Sequence, residues 1–305
     1  MNWHAWKKGF ETYLQLERSL SENTVAAYLS DLDKLIEFVE ARYGSLTPSG
    51  LTQIHLDEFL VWVGSQKGSA RSQARIISGI RAFFKYLLIE GVMEKNPATT
   101  LETPRMERKL PEVLTLGEID RILAAIDLSK PEGTRNKAII ETLYGSGLRV
   151  SELINLKISD INFREDFLMV TGKGNKQRLV PIGSEALKHI KLYLYGSRHH
   201  TPPQKGFEDT LFLNRRGRRL TRVMIFTLVK NLCKAAGIKK TVSPHTFRHS
   251  FATHLVEGGA DLRVVQDMLG HESITTTEIY THLDREYLRE AILFYHPRSG
   301  HKKSQ

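Results

Sequence analysis

The sequence predicts a mainly α-helical protein in two parts, with β structure confined to one short stretch of the second part. Three observations lead there. Apolar residues recur at spacings of three and four through most of the chain, which is the helical period. From Asn96-Pro97 to Pro111 the period stops, in a polar stretch with three prolines. Two β-like runs, Phe167 to Thr171 and Gln177 to Ile182, flank the turn Gly172-Lys173-Gly174-Asn175-Lys176, which is dense in glycine and lysine.

In the first part, Trp3, Trp6, Phe10, Tyr13 and Leu14, then Val25 to Val39, predict two helices with Ser21 as an N-cap between them. Gly44 to Gly50, with Pro48, breaks the pattern, and helices follow near 53–64 and 71–90. Residues 1–96 are therefore expected to form a four-helix module with its aromatics in the core, and 97–111 a linker between two lobes. In the last helix Arg71, Arg75, Arg81 and Lys85, with Lys67 just before it, are interleaved with apolar positions, which suits either phosphate contact or a solvated face.

The second part, 112–305, opens with the capping-box pair Thr115 and Glu118 ahead of Ile119, Ile122, Leu123 and Ile126. A helix from about Asn136 to Tyr144 ends at Gly145-Ser146-Gly147, and another starts near Arg149. After the two β-like runs come a helix from Ser184 to about Tyr195 and a loop over 196–209. Leu211 to Leu213 is expected as a third short strand, followed by the basic cluster Arg215, Arg216, Arg218 and Arg219. Thr221 caps a helix from Arg222 to about Ala236, Asp284 to Phe294 reads as an amphipathic helix, and Arg298 to Gln305 as a basic tail.

The 305 residues carry a formal charge of +10, unevenly divided. Residues 1–110 hold 14 Lys or Arg against 13 Asp or Glu, and 111–305 hold 30 against 21, so the excess belongs to the second part and suits a polyanionic partner. With 26% charged and 41% hydrophobic residues, the composition is that of a folded protein, not a disordered one. No apolar run is long enough for a bilayer, and Met1 to Lys8 lacks the apolar core of a secretory signal, so a cytoplasmic or nucleoid protein without a membrane partner is expected. The single cysteine, Cys233, excludes an internal disulfide and a cysteine metal cluster, and its apolar surroundings predict burial.

The chemistry concentrates between Ser243 and Tyr280. Ser243 as N-cap and Pro244 at the first helical position place His245 in a first turn, where unpaired N–H groups favour an anion. Arg248 and His249 follow three and four residues on, on roughly the same face. Phosphoryl transfer builds negative charge on equatorial oxygens, which arginines can hold bidentately. Arg149, at a helix start behind a glycine turn, is the natural second clamp, with Glu152 three residues on to orient it or to form a surface salt bridge. Tyr280 is the candidate nucleophile and Lys173 the candidate acid for a leaving 5′-hydroxyl. His245 and His249 share the i,i+4 spacing of a zinc helix, and His254 or His271 could complete a site, but no glutamate base stands where that motif needs one. Two arginines make a divalent ion unnecessary, so neither metal nor cofactor is expected.

The segments Gly147 to Leu153, Thr171 to Gly174, His245 to Leu255, Leu269-Gly270-His271 and Tyr280-Thr281-His282 resemble, in order, the motifs of the tyrosine recombinase family, and within it the bacterial Xer recombinases. The likeness covers nearly the whole chain, including the closing His296-Pro297-Arg298. It implies a two-domain clamp: a helical core-binding domain joined to a mainly helical catalytic domain with a small antiparallel sheet. Arg149 and Arg248 match the paired phosphate arginines, Lys173 the hairpin lysine that protonates the leaving oxygen, and His245 the histidine that manages protons. His271 matches a phosphate-stabilising histidine, Tyr280 the nucleophile of a 3′-phosphotyrosyl bond, and Glu152 a supporting acid. The resemblance further implies double-stranded DNA with dif-like sites as substrate, resolution of chromosome dimers, and a tetramer on two sites held by exchange of C-terminal helices. A paralogous recombinase and a DNA translocase are possible partners. Lys176, Arg222 and the clustered arginines are candidate DNA contacts. A phage or transposon integrase, a type IB topoisomerase and a DNA-binding module with a decayed site are the competing readings.

Overall fold

The computed structural model describes residues 3–66, 69–104, 112–172, 176–270 and 282–299, with only the backbone described at 282–284. The chain divides into two compact units, Met1–Lys109 and Leu110–Gln305, each with its own core.

The first unit is helical: α1 (Trp3–Thr12), α2 (Glu22–Tyr43), α3 (Gln53–Ser65) and α4 (Ala70–Ile89). A wide π turn, Tyr13–Glu17, extends α1 before Ser21 starts α2 with its backbone extended. The aromatics meet where the periodicity predicts: Phe10 lies edge-on to Phe83 at 5.3 Å, and Phe38 meets Phe59 at 5.6 Å. Packing continues past residue 96, because Ala98 and Leu101 are buried in this core and Arg81 of α4 donates to both of their carbonyls. The first third of the expected linker is thus held by α4, and Arg81 is engaged by its own chain. Arg75 is half engaged, donating to Asp31 Oδ2 at 2.5 Å and to the Ala27 carbonyl at 3.2 Å. Arg71 and Lys85 are exposed, and Lys67 lies outside the described residues.

The second unit holds α5 (Leu116–Ala124), α6 (Gly133–Ser146), α7 (Val150–Asn155), β1 (Ile161–Asn162), β2 (Phe167–Thr171), β3 (Gln177–Pro181), α8 (Ser184–Tyr195), α9 (Arg222–Ala235), α10 (Pro244–Gly258), α11 (Leu262–Leu269) and α12 (His282–Tyr295). The described protein is mainly helical, with one antiparallel sheet in the order β1-β2-β3. Leu168 pairs with Ile161 on one side and Val180 on the other. Leu211 to Leu213 is not the third strand. Its one bridge, Leu213 with Arg219, is isolated, as is that of the residue before it, Thr210 with Lys157, because its three leucine and phenylalanine side chains all fill the core and the N–H groups of Leu211 and Leu213 go to the Leu156 carbonyl and the Tyr193 hydroxyl.

The last described residues are built into this unit. Leu288, Ala291 and Ile292 of α12 are buried in its core. Arg298, expected to open a basic tail, instead donates to Asp120 and to buried Glu141, both at 2.7 Å. Residues 300–305 of that tail lie outside the described residues. Cys233 is buried, and desolvation pushes its thiol up to about 11, so it is inert packing. No helix among the described residues is long and apolar enough to cross a membrane.

Candidate active site: three arginines on one glutamate

Helix α10 starts as the Ser243-Pro244 pair dictates. Ser243 donates its N–H to Thr246 Oγ1 at 3.0 Å and Pro244 fills the first turn, where its missing N–H costs nothing. Ser250, one turn further, accepts the Leu114 N–H at 2.9 Å and so ties the start of the unit to this helix. His245 is exposed, His249 half-buried and Arg248 buried, so the arginine alone of the three turns into the protein.

Arg248 crosses to the turn between α6 and α7, donating to the Gly147 carbonyl at 2.8 Å, and to the end of α11, donating to the Leu269 carbonyl at 2.5 Å. Gly147 has φ 58°, and a Cβ there would lie 2.5 Å from the Phe251 ring of α10, so only glycine permits this approach. Arg149 caps α7. Its N–H is accepted by Glu152 Oε2 at 2.8 Å, the glutamate half of a capping box, and its guanidinium donates to Glu152 Oε1 at 3.0 Å and to the Gly270 carbonyl at 3.2 Å.

A third arginine, which periodicity and motif did not single out, completes the cluster. Arg178 on β3 grips Glu152 with both Nη atoms, at 2.9 and 3.0 Å, and donates Nε to the Met268 carbonyl at 3.1 Å. The alternation of β3 holds the signal: Arg178 shares the buried phase with Val180, and an arginine there needs a carboxylate. The last carbonyls of α11 and its cap, Met268, Leu269 and Gly270, are each taken by a different arginine. Three cations thus complement the negative end of that helix.

Glu152 is the shared counter-charge. Burial would raise its carboxyl, but hydrogen bonds and charge from Arg178 and Arg149 prevail and hold it below the ordinary 4.5. Burial lowers Arg248 to about 10, with Arg149 and Arg178 adding repulsion and Glu152 opposing them, so it stays protonated at neutral pH. One carboxylate facing three guanidiniums leaves a net positive site fitted to an anion. A folded pKa below the unfolded one means that Glu152 contributes stability above pH 4.5, lost as pH falls through the folded value. The difference in denaturant stability between wild type and Glu152→Gln is expected to be constant above that pH and to shrink as the medium is acidified. A difference independent of pH down to about 3, below the ordinary glutamate pKa, would show that Glu152 is not ionised in this network.

Elsewhere the structure accounts for other candidates. His254, weighed as a metal ligand, is bonded through Nδ1 to the Tyr144 hydroxyl at 2.7 Å, and burial lowers its pKa. No group of His, Cys, Asp or Glu among the described residues could hold a metal ion. Arg215 reaches Glu132, Arg218 reaches Gln204 and Arg219 reaches Asn155, while Arg216, Arg222 and Lys176 are exposed. Lys173, His271 and Tyr280 lie outside the described residues, although Gly172 and Gly270 beside the first two are described.

Two family models match: the N-terminal SAM-like domain of phage integrases over residues 8–91, and the phage integrase family over residues 112–286. The chain belongs to the phage integrase family, the tyrosine recombinases, enzymes that cleave and rejoin DNA. It is 41% identical over 290 residues to the tyrosine recombinase XerD of Oceanobacillus iheyensis, covering 95% of this chain and 97% of that protein. With the XerD of Chlorobaculum tepidum the identity is 44% over 299 residues, 96% and 97% of the two chains. Among solved structures it resembles the XerH site-specific recombinase bound to difH substrate in a pre-cleavage complex, with a TM-score of 0.70, 25% identity, and 91% and 92% of the two chains covered. The Tn1549 transposon integrase in complex with circular intermediate DNA shares the fold at a TM-score of 0.72 and 21% identity, over 92% of this chain and 94% of that one.

Proposed function

We propose that this protein is a site-specific recombinase of the Xer type that acts at dif-like sites to resolve chromosome dimers at the nucleoid. The observation that carries the chemistry is the pairing of Arg149 and Arg248, from different helices, around one ionised glutamate and one helix end. Their guanidiniums hold the non-bridging oxygens of the scissile phosphate. The Tyr280 oxygen attacks phosphorus, the bond to the 5′-oxygen breaks, and a 3′-phosphotyrosyl bond remains. Lys173 gives the leaving oxygen its proton, His245 manages the proton of the phenol, and His271 supports the phosphate. Rejoining is the reverse, with a 5′-hydroxyl from the partner duplex as nucleophile. Two fixed cations supply the charge stabilisation that a metal gives elsewhere, so the reaction needs neither metal nor ATP.

Residues 1–96 form the core-binding unit, 97–111 the linker and 112–305 the catalytic unit. Four protomers assemble on two sites by exchanging C-terminal helices, which requires α12 to seat Leu288, Ala291 and Ile292 in a neighbour instead of its own core. A paralogous recombinase and a DNA translocase are further partners. The XerD relatives support the Xer reading, and the XerH complex with difH supports the class of site. DNA contacts come from Arg71, Lys85, Lys176, Arg216 and Arg222, all exposed, with Lys67.

The test is a suicide duplex with a nicked dif-like site, incubated with the protein in EDTA. The expected product is a denaturant-resistant protein–DNA adduct with a free 5′-hydroxyl on the released strand. Cleavage that appears only when a divalent metal is restored overturns the metal-free reading. Binding without an adduct overturns the choice of site or favours the DNA-binding module.

A further inference from the structure

Arg178 is the most heavily bonded arginine of the cluster, yet none of the proposed chemical roles falls to it. Its guanidinium is nearly enclosed, with 10% of the side chain exposed. Its three nitrogens all donate: two to Glu152 and one to the Met268 carbonyl. A bidentate fork fixes the plane of the carboxylate, which a lysine cannot do. That carboxylate in turn receives Arg149 through N–H and Nη1 and lies 4.0 Å from Arg248 Nη1.

Two glycines mark how closely other site elements approach Arg178. Gly270, at φ 65°, lies against it so tightly that a Cβ would stand 3.0 Å from Arg178 Nε, and the next residue in the chain is His271. A Cβ on Gly172 would stand 3.6 Å from Arg178 Nη1, and the next residue there is Lys173. One guanidinium therefore binds the α7 glutamate and the end of α11, and it lies near the residue that follows β2. Its charge matters as well as its reach. As a third cation facing the single carboxylate of Glu152, it leaves the cluster with a net positive charge for an incoming phosphodiester.

We propose that Arg178 is a positioning residue for strand transfer: it locks Glu152 so that Arg149 and Arg248 are held as one phosphate clamp, and it holds the end of α11 that leads into His271. The inference rests on the phosphate role given above to Arg149 and Arg248. It assigns the alignment of the clamp to a group that does not itself meet the DNA.

The test uses full-length protein with Arg178→Lys, which keeps the charge, and Arg178→Gln, which keeps neither charge nor fork. Each is labelled with 15N-arginine, and the Nε–Hε resonances of Arg149 and Arg248 are followed well below the melting midpoint of each variant. Both resonances are expected to shift and broaden in both variants, while that of Arg42, paired with Glu58 in the other unit, stays in place. In single-turnover cleavage of the suicide duplex at saturating DNA, Arg178→Lys is expected to be slower by about 10²-fold, the scale of a small misplacement of reacting groups, with little change in DNA affinity. A merely structural role would lower the melting midpoint and leave both resonances and rate alone. Unchanged resonances, or cleavage by Arg178→Lys at the wild-type rate, overturns the proposal. If wild type itself does not cleave the duplex, the dif-like reading fails and the resonances alone decide the role of Arg178.

Discussion

Tyr280→Phe is expected to abolish the covalent protein–DNA adduct and leave binding of the duplex intact. The phenolic hydroxyl is the only group lost, and phenylalanine keeps the ring. An ordinary tyrosine pKa of about 10 makes the neutral phenol a poor nucleophile at pH 7, so its reactivity depends on a phosphate already polarised by cations. The variant keeps those cations, so it should hold the substrate uncleaved and compete with wild type for sites. Gel shift and denaturing electrophoresis on the same samples separate the two effects. An adduct that survives in Tyr280→Phe would move the nucleophile to another side chain and remove the basis for the 3′-phosphotyrosyl intermediate.

Arg149→Ala and Arg248→Ala are each expected to slow single-turnover cleavage by about 10²–10³-fold, the loss seen when one preorganised donor to a developing oxyanion is removed. Their effects on folding should differ. Arg248 is buried and spends its guanidinium on the carbonyls of Gly147 and Leu269, so its removal orphans two buried acceptors and costs about 3 kcal/mol or more. Arg149 has a side chain 37% exposed, and Glu152 keeps its bidentate partner Arg178 when Arg149 is gone, so about 1 kcal/mol is expected there. Urea denaturation beside the cleavage assay checks both parts. Less than a tenfold loss of rate in either variant would undo the paired clamp. Equal destabilisation would mean that burial does not distinguish the two arginines.

These different costs show what a sequence can and cannot hold. The helical period placed α1 to α4 and their aromatic core because burial of a stripe requires i, i+3, i+4 spacing whatever the neighbours are. Ser243-Pro244, Thr115 with Glu118 and Thr221 marked helix starts because capping is local chemistry. Arg149 and Arg248 stand out by motif order, and the structure brings both to Glu152 and the end of α11. Leu211 to Leu213 was misread as a strand because a fully apolar triplet has no phase: only the surroundings decide whether its backbone joins a ladder or its side chains fill a core. Arg298 was misread as tail because its partners, Asp120 and Glu141, stand more than 150 residues earlier.

What the sequence determined by itself, then, was the set of helices, the glycine turns and the family chemistry, all written in residues close together along the chain. The tertiary structure alone decided which charges are partners. Arg178, Glu152 and the end of α11 lie at 178, 152 and 268–270, and nothing in their spacing joins them. They meet because β3, α7 and α11 pack into one core, where a buried carboxylate and buried guanidiniums cannot remain apart without a large desolvation cost.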